Sequence, residues 1–177
     1  MEKSPRVAQF MFLNQSYNKF GYQQGISIVE ILVIIAIIGI ALASLLGLAT
    51  FSLKASTSIK ETTQANSLAQ EVMEGVRNFR DGTNWDTDGL RTLTTGIIYH
   101  PEKSTDTPPK WQLIQGEETV GGFTRKVVFE NVSRDTTNYN IVENGGENDP
   151  DTKKVTVTVS WGNKKVEIIT YLTNWKQ

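Results

Sequence analysis

Residues 25–53 read GISIVEILVIIAIIGIALASLLGLATFSL, and the 23 residues from Ile31 to Leu53 carry no charge. About 20 apolar residues in an α-helix suffice to cross a hydrocarbon core of about 30 Å, so this stretch reads as a membrane-spanning helix. Lys54 and Lys60 follow it while Lys3, Arg6 and Lys19 precede it, a small imbalance in favour of a cytoplasmic N-terminus. A secretory signal peptide is the competing reading. Ile31 to Ile40 would be its apolar core, and Ala41-Leu42-Ala43 offers small residues for cleavage. Against it, the apolar run continues unbroken to Leu53 and Glu30 abuts it. The nearest preceding positive charge is Lys19, whereas a signal peptide sets its positive charges beside the apolar run.

Glu30 is the informative residue. A carboxylate in a membrane helix costs about 2.5–3.5 kcal/mol at the bilayer centre and less near the interface. A plain anchor has no need of it, although at a helix N-terminus the charge meets the positive end of the macrodipole.

The octapeptide Gly25-Ile26-Ser27-Ile28-Val29-Glu30-Ile31-Leu32 resembles the cleavage and methylation signature of the type IV pilin and pseudopilin superfamily. The resemblance covers Gly25 to about Phe79, and the run SLAQEVMEGVRNFRDGTNW (67–85) is similar to the helix exit of minor-pilin-like prepilins. It implies that a prepilin peptidase cuts after Gly25 on the cytoplasmic face. Ile26 then becomes the N-methylated first residue of the mature chain, and Glu30 is the family's acid five residues into it. In a packed bundle of such helices Glu30 would pair with a neighbour's new α-amino group. Each charge is expensive alone in an apolar setting, so the pair would fix the axial stagger between subunits. Two features depart from the family pattern. Ile26 replaces the commonest phenylalanine, and Gly39 and Gly47 stand where many members carry a helix-bending proline. A translation start at Met11, giving the leader MFLNQSYNKFGYQQG, is a related reading.

Beyond the apolar run, Ala65, Leu68, Ala69, Val72, Met73, Val76 and Phe79 recur at three- and four-residue steps, with charged residues between them, which is the pattern of an amphipathic helix. No proline interrupts 26–81, so one helix of about 55 residues is expected, with Gly82 as its αL cap. From there the pattern is β. Lys154 to Trp161 (KVTVTVSW) alternates strictly, Gly162-Asn163 is a hairpin turn, and Lys165 to Trp175 returns as the partner strand. Arg91 to Tyr99, Trp111 to Gln115 and Gly122 to Val132 are further strand candidates, separated by polar connections such as PEKSTDTPPK. The expected fold is α+β: a long N-terminal helix packed on a C-terminal antiparallel sheet of four or five strands. The expected organisation is a cleaved leader (1–25), a transmembrane and assembly half-helix (26–53), an amphipathic half-helix (54–82) and a β-sheet head (83–177).

Catalytic chemistry is sparse. Cysteine is absent, which excludes disulfides, thiolate metal sites and cysteine nucleophiles. The single histidine, His100, reads as a solvated loop residue, and no phosphate-cradling glycine motif follows a strand. Residues 26–177 carry 15 basic against 18 acidic side chains, without the basic surplus of a nucleic-acid-binding domain. Asn84, Asp86 and Asp88 alternate before Gly89 as in calcium loops, yet Thr95 stands where the closing glutamate belongs. Glu143 and, in the stretch NGGENDPD that follows it, Glu147, Asp149 and Asp151 form a second oxygen-rich segment, which reads as a flexible hairpin tip. Trp85, Trp111, Trp161 and Trp175 read as core or edge packing, with an adhesive surface as the alternative.

The expected function is therefore structural and non-enzymatic, without a cofactor. The chain would be a subunit of a type IV pilus-like filament, held in the inner membrane with its head outside and extracellular after assembly. Its expected partners are prepilin peptidase, other pilin subunits, an assembly ATPase and a platform protein. A pseudopilin of a type II secretion system is the alternative within the family. A single-pass membrane-anchored sensor or binding module, which keeps its leader, is the alternative from another class.

Overall fold

The computed structural model describes residues 25–175. The leader reading, apart from Gly25, and the Met11 start lie outside the described residues. The chain divides into two compact units after Ala49, and helix α1, Ile28–Gly82, runs through the division. No break marks the expected boundary between residues 53 and 54. What changes along α1 is burial: every residue from Gly25 to Lys54 is exposed, and the first buried one is Ala65.

In the unit Thr50–Gln177, α1 packs on the sheet through Ala65, Ala69, Val72, Met73, Val76 and Phe79, with Leu68 partly buried beside them. The three- and four-residue spacing places these side chains on one stripe. Gly75 lies within it, where a Cβ would stand 2.8 Å from Pro101 Cβ and 3.0 Å from Trp111 Cζ3. Only glycine lets the strand approach the helix this closely. The helix ends at Gly82 without the expected αL cap, since that glycine is not among the positive-φ residues. Instead the Thr83 hydroxyl donates to the Phe79 carbonyl at 2.7 Å, satisfying one of the last-turn oxygens.

Among the described residues the sheet has seven strands, more than expected. These are β1 (Ile98–Lys103), β2 (Trp111–Gln115), β3 (Glu118–Val120), β4 (Phe123–Arg134), β5 (Ile141–Val142), β6 (Glu147–Trp161) and β7 (Lys164–Thr173). The order is β2-β1-β4-β6-β7, with β3 and β5 also pairing β4, and every pairing is antiparallel. The fold class is thus α+β, a long apolar-to-amphipathic helix on an antiparallel sheet. Gly121 and Gly122, at φ 58° and 86°, form the two-residue turn between Val120 and Phe123, where a type I′ geometry needs positive φ at both positions. Gly162 at φ 52° makes the corresponding turn between β6 and β7.

Val127, Phe129, Val155, Val157 and Val159 are fully buried on the inner face. Tyr99 meets Phe129 edge-on with ring centroids 5.8 Å apart. Arg125, also buried on this face, bonds Glu118 at 2.7 Å and Glu71 of α1 at 3.1 Å. Burial works to lower the Arg125 guanidinium, but these two carboxylates outweigh it and hold it above its ordinary value.

Several expectations need correction. Arg91 belongs to a 3-10 turn, Leu90–Thr92, and the strand expected from Arg91 begins only at Ile98. His100 is a strand residue, half-buried, with Nδ1 3.1 Å from the Gly116 carbonyl oxygen, rather than a solvated loop residue. The stretch read as a flexible hairpin tip is in part the start of β6, paired to the end of β4 through Glu147, Asn148 and Asp149.

Candidate functional site

The first turn of α1 is built by Ser27. Its carbonyl oxygen accepts hydrogen bonds from the Glu30 and Ile31 N–H groups at 3.0 and 3.2 Å, and its Oγ accepts from Val29 N–H at 3.3 Å. Ser27 is therefore the N-cap and Glu30 the third helical residue, the Ser-x-x-Glu arrangement of a capping box. This pattern is legible in the sequence as Ser27-Ile28-Val29-Glu30. It gives Glu30 a favourable place on its own chain, in the first turn beside the positive end of the helix dipole. Among the described residues no ion pair engages the Glu30 carboxylate.

Gly25 and Ile26 precede the cap in exposed chain outside the helix, and Ile26 is 69% exposed. A Cβ at Gly25 would meet nothing within 4 Å, and the same holds at Gly39 and Gly47 beyond the helix's own backbone. Among the described residues no side chain crowds the space a Cβ would take at these glycines. Helix α1, which holds Gly39 and Gly47, is long and apolar enough to cross a membrane, and its most apolar window has no buried share. A helix apolar on all sides must be covered by lipid or by other helices.

Just beyond the apolar run the helix is fastened to the β6–β7 turn. Trp161 Nε1–H donates to Glu61 Oε2 at 3.1 Å, and Lys164 Nζ donates to Glu61 Oε2 and Ser58 Oγ at 3.2 and 3.0 Å. These donors, Trp161 before Lys164, hold the Glu61 carboxyl below its ordinary value.

The loop read as a calcium candidate turns its oxygens inward. Asn84 Oδ1 accepts from the Asp86 and Thr87 N–H groups at 3.0 and 3.3 Å, and Asp88 Oδ1 accepts from Asn84 N–H at 2.8 Å. Asp86 pairs with Arg91 at 2.6 Å. Gly89 is explained without a metal, because a Cβ there would stand 2.5 Å from the Asn84 carbonyl oxygen. In the second acidic stretch Asp149 pairs with Arg134 at 2.6 Å, and Asp151 Oδ1 accepts from Asn174 Nδ2 at 3.2 Å. Among the described residues no group of three or more His, Cys, Asp or Glu side chains is arranged to hold a metal ion.

The tryptophans divide. Trp85 is buried and its Nε1–H donates to the Pro150 carbonyl at 3.1 Å. Trp111 and Trp161 pack partly against the core, while Trp175 is exposed. No protein-family model, no curated protein and no solved structure matches the chain. The functional reading therefore rests on its own residues.

Proposed function

We propose that this chain is a structural subunit of a type IV pilus-like filament. It is inserted in the membrane as a precursor, cleaved after Gly25, N-methylated at Ile26 and assembled by packing of its exposed apolar helix. The observation that carries this reading is the conjunction at one helix start. A glycine without steric need of its own is followed, five residues on, by an acid that opens an apolar run exposed on every side. Prepilin peptidase would use the accessible Gly25–Ile26 bond. The exposed helix offers other pilin subunits a packing surface, and Gly39 and Gly47 permit close approach of neighbouring backbones. Assembly would require an ATPase and a platform protein, since the sequence has no phosphate-cradling motif of its own. A type II secretion pseudopilin shares every one of these features.

A second reading is favoured by the place of Glu30 in the first turn of α1, beside the positive end of the helix dipole. If Glu30 serves only its own helix start, the chain is a single-pass anchored binding module that keeps its leader. The N-terminus of the protein isolated from membranes separates the two readings: a filament subunit starts at Ile26, and a simple anchor retains residues before Gly25.

A further inference from the structure

On the inner face of β6 the series Val159, Val157, Val155 is fully buried, and the next residue of that face is Lys153, 6% exposed. An apolar side chain there would extend the core, whereas a desolvated ammonium is costly unless an opposite charge meets it. Lys153 has none: among the described residues its Nζ donates only to Asn131 Oδ1, at 2.7 Å, on the paired position of β4. Burial, and secondarily the positive charge of Arg91, pull the ammonium below its ordinary value.

The surroundings are polar and electropositive. Lys153, Arg91, Thr94, Thr95, Asn131 and Asn148 line an open depression of about 370 Å³. Arg91 spends Nη1 on Asp86, and its other guanidinium N–H groups have no partner among the described residues. The Asn131 carboxamide, its oxygen taken by Lys153, keeps its N–H donors. The strand register shapes the rim. Asn131 pairs with Lys153 but Val132 pairs with Asp149, so residues 150–152 have no partner in β4, while Thr152 stays paired to Thr173 of β7. Pro150, in this bulge of the β4–β6 ladder, is held by Trp85. Bulges of this kind re-aim side chains beside binding sites.

We propose that this depression binds a compact oxyanion, a phosphate or sulfate group either free or carried as an ester, with Lys153 as the buried counter-charge and Arg91 as the second cation. The anion supplies the charge that Lys153 lacks, and the threonine hydroxyls and asparagine amides take its remaining oxygens. The site is independent of the filament reading, since none of its residues belongs to α1.

Isothermal titration of the full chain in nonionic detergent, at fixed ionic strength in chloride, tests this with inorganic phosphate, sulfate and glucose 6-phosphate. Saturable binding of inorganic phosphate or sulfate is expected. Lys153→Met keeps the aliphatic stem, and Arg91→Gln alters an exposed side chain. Each should weaken binding about tenfold or more, as the loss of a charge-assisted bond requires. Glucose 6-phosphate binding as tightly as phosphate places the natural group on an ester, and binding of the inorganic ions alone places it in solution. Tryptophan fluorescence reports whether each variant is folded, and Arg91→Gln carries the test if Lys153→Met is not. No saturable binding of any of the three probes to the parent chain, or unchanged affinity in the folded variants, would overturn the proposal.

Discussion

Val72 and Leu45 lie on the same helix with opposite surroundings, the first fully buried and the second 62% exposed. Truncating each to alanine therefore measures what the two halves of α1 do. Val72→Ala removes two methylene equivalents from the core, a transfer loss of about 1.6 kcal/mol. Incomplete collapse around the vacated space adds up to about 1 kcal/mol. For a unit of this size each kcal/mol lowers the melting temperature by about 4 °C, so a fall of about 7–10 °C is expected. Val72→Asp should go further, because it also buries a carboxylate with no cation on that stripe, a loss of several kcal/mol that approaches the stability of a whole domain. Leu45→Ala, by contrast, should leave the head's melting temperature unchanged. The assay is thermal unfolding in nonionic detergent followed by tryptophan fluorescence, to which the buried Trp85 and half-buried Trp111 and Trp161 contribute. An unchanged melting temperature for Val72→Asp, or equal falls for Val72→Ala and Leu45→Ala, would refute the division of α1 into a packed and an unpacked half.

Two other outcomes follow from named groups. If Glu30 meets a neighbour's amine during assembly, Glu30→Ala should leave membrane insertion and cleavage intact but abolish incorporation. The amine would be left buried and unpaired, a loss of about 3–5 kcal/mol. Sheared-filament fractions probed for the processed subunit report it, and equal incorporation would reduce Glu30 to a helix cap. Burial pushes the Asp149 carboxyl up, but hydrogen bonds from the Thr152 hydroxyl, Arg134 and the Asp151 N–H outweigh it and hold the group below its ordinary 3.8. A depressed carboxylate stabilises the fold above its unfolded value and loses that contribution as pH falls through the folded one. Asp149→Asn should therefore be less stable than the parent near neutrality, with the difference shrinking below about pH 4. Urea midpoints at the two pH values measure this, and a gap that does not narrow would contradict it.

The architecture was legible wherever one period ran undisturbed. The three- and four-residue steps of Ala65 to Phe79 and the alternation of Val155, Val157 and Val159 each named the buried face correctly. The reading failed where tertiary pairing overrode local chemistry. Glu147 to Lys153 look like a polar loop, with a proline inside, yet they pair with the long β4 through a bulge that gives Pro150 a place outside the ladder. Lys153 was invisible for the same reason, since a lysine on the inner face breaks the alternation that would have extended the strand to it. β3 and β5 are too short to show a period, being three and two residues long. At the N-terminus Gly25 and Glu30 stand out by type and spacing, whereas the cap at Ser27 shows only as a four-residue pattern. Ser27-x-x-Glu30 was legible there, and only the identity of what covers the apolar helix lies outside the chain.

Whether Gly25–Ile26 is a processing site is tested most directly by intact mass and N-terminal sequencing of the protein extracted from membranes. A filament subunit should begin at Ile26, carry one additional methyl group and lack residues 1–25. A chain that begins at Ser44, behind Ala41-Leu42-Ala43, would mean removal by signal peptidase. One that retains its residues before Gly25 would be the anchored module, and either result would contradict the filament assignment.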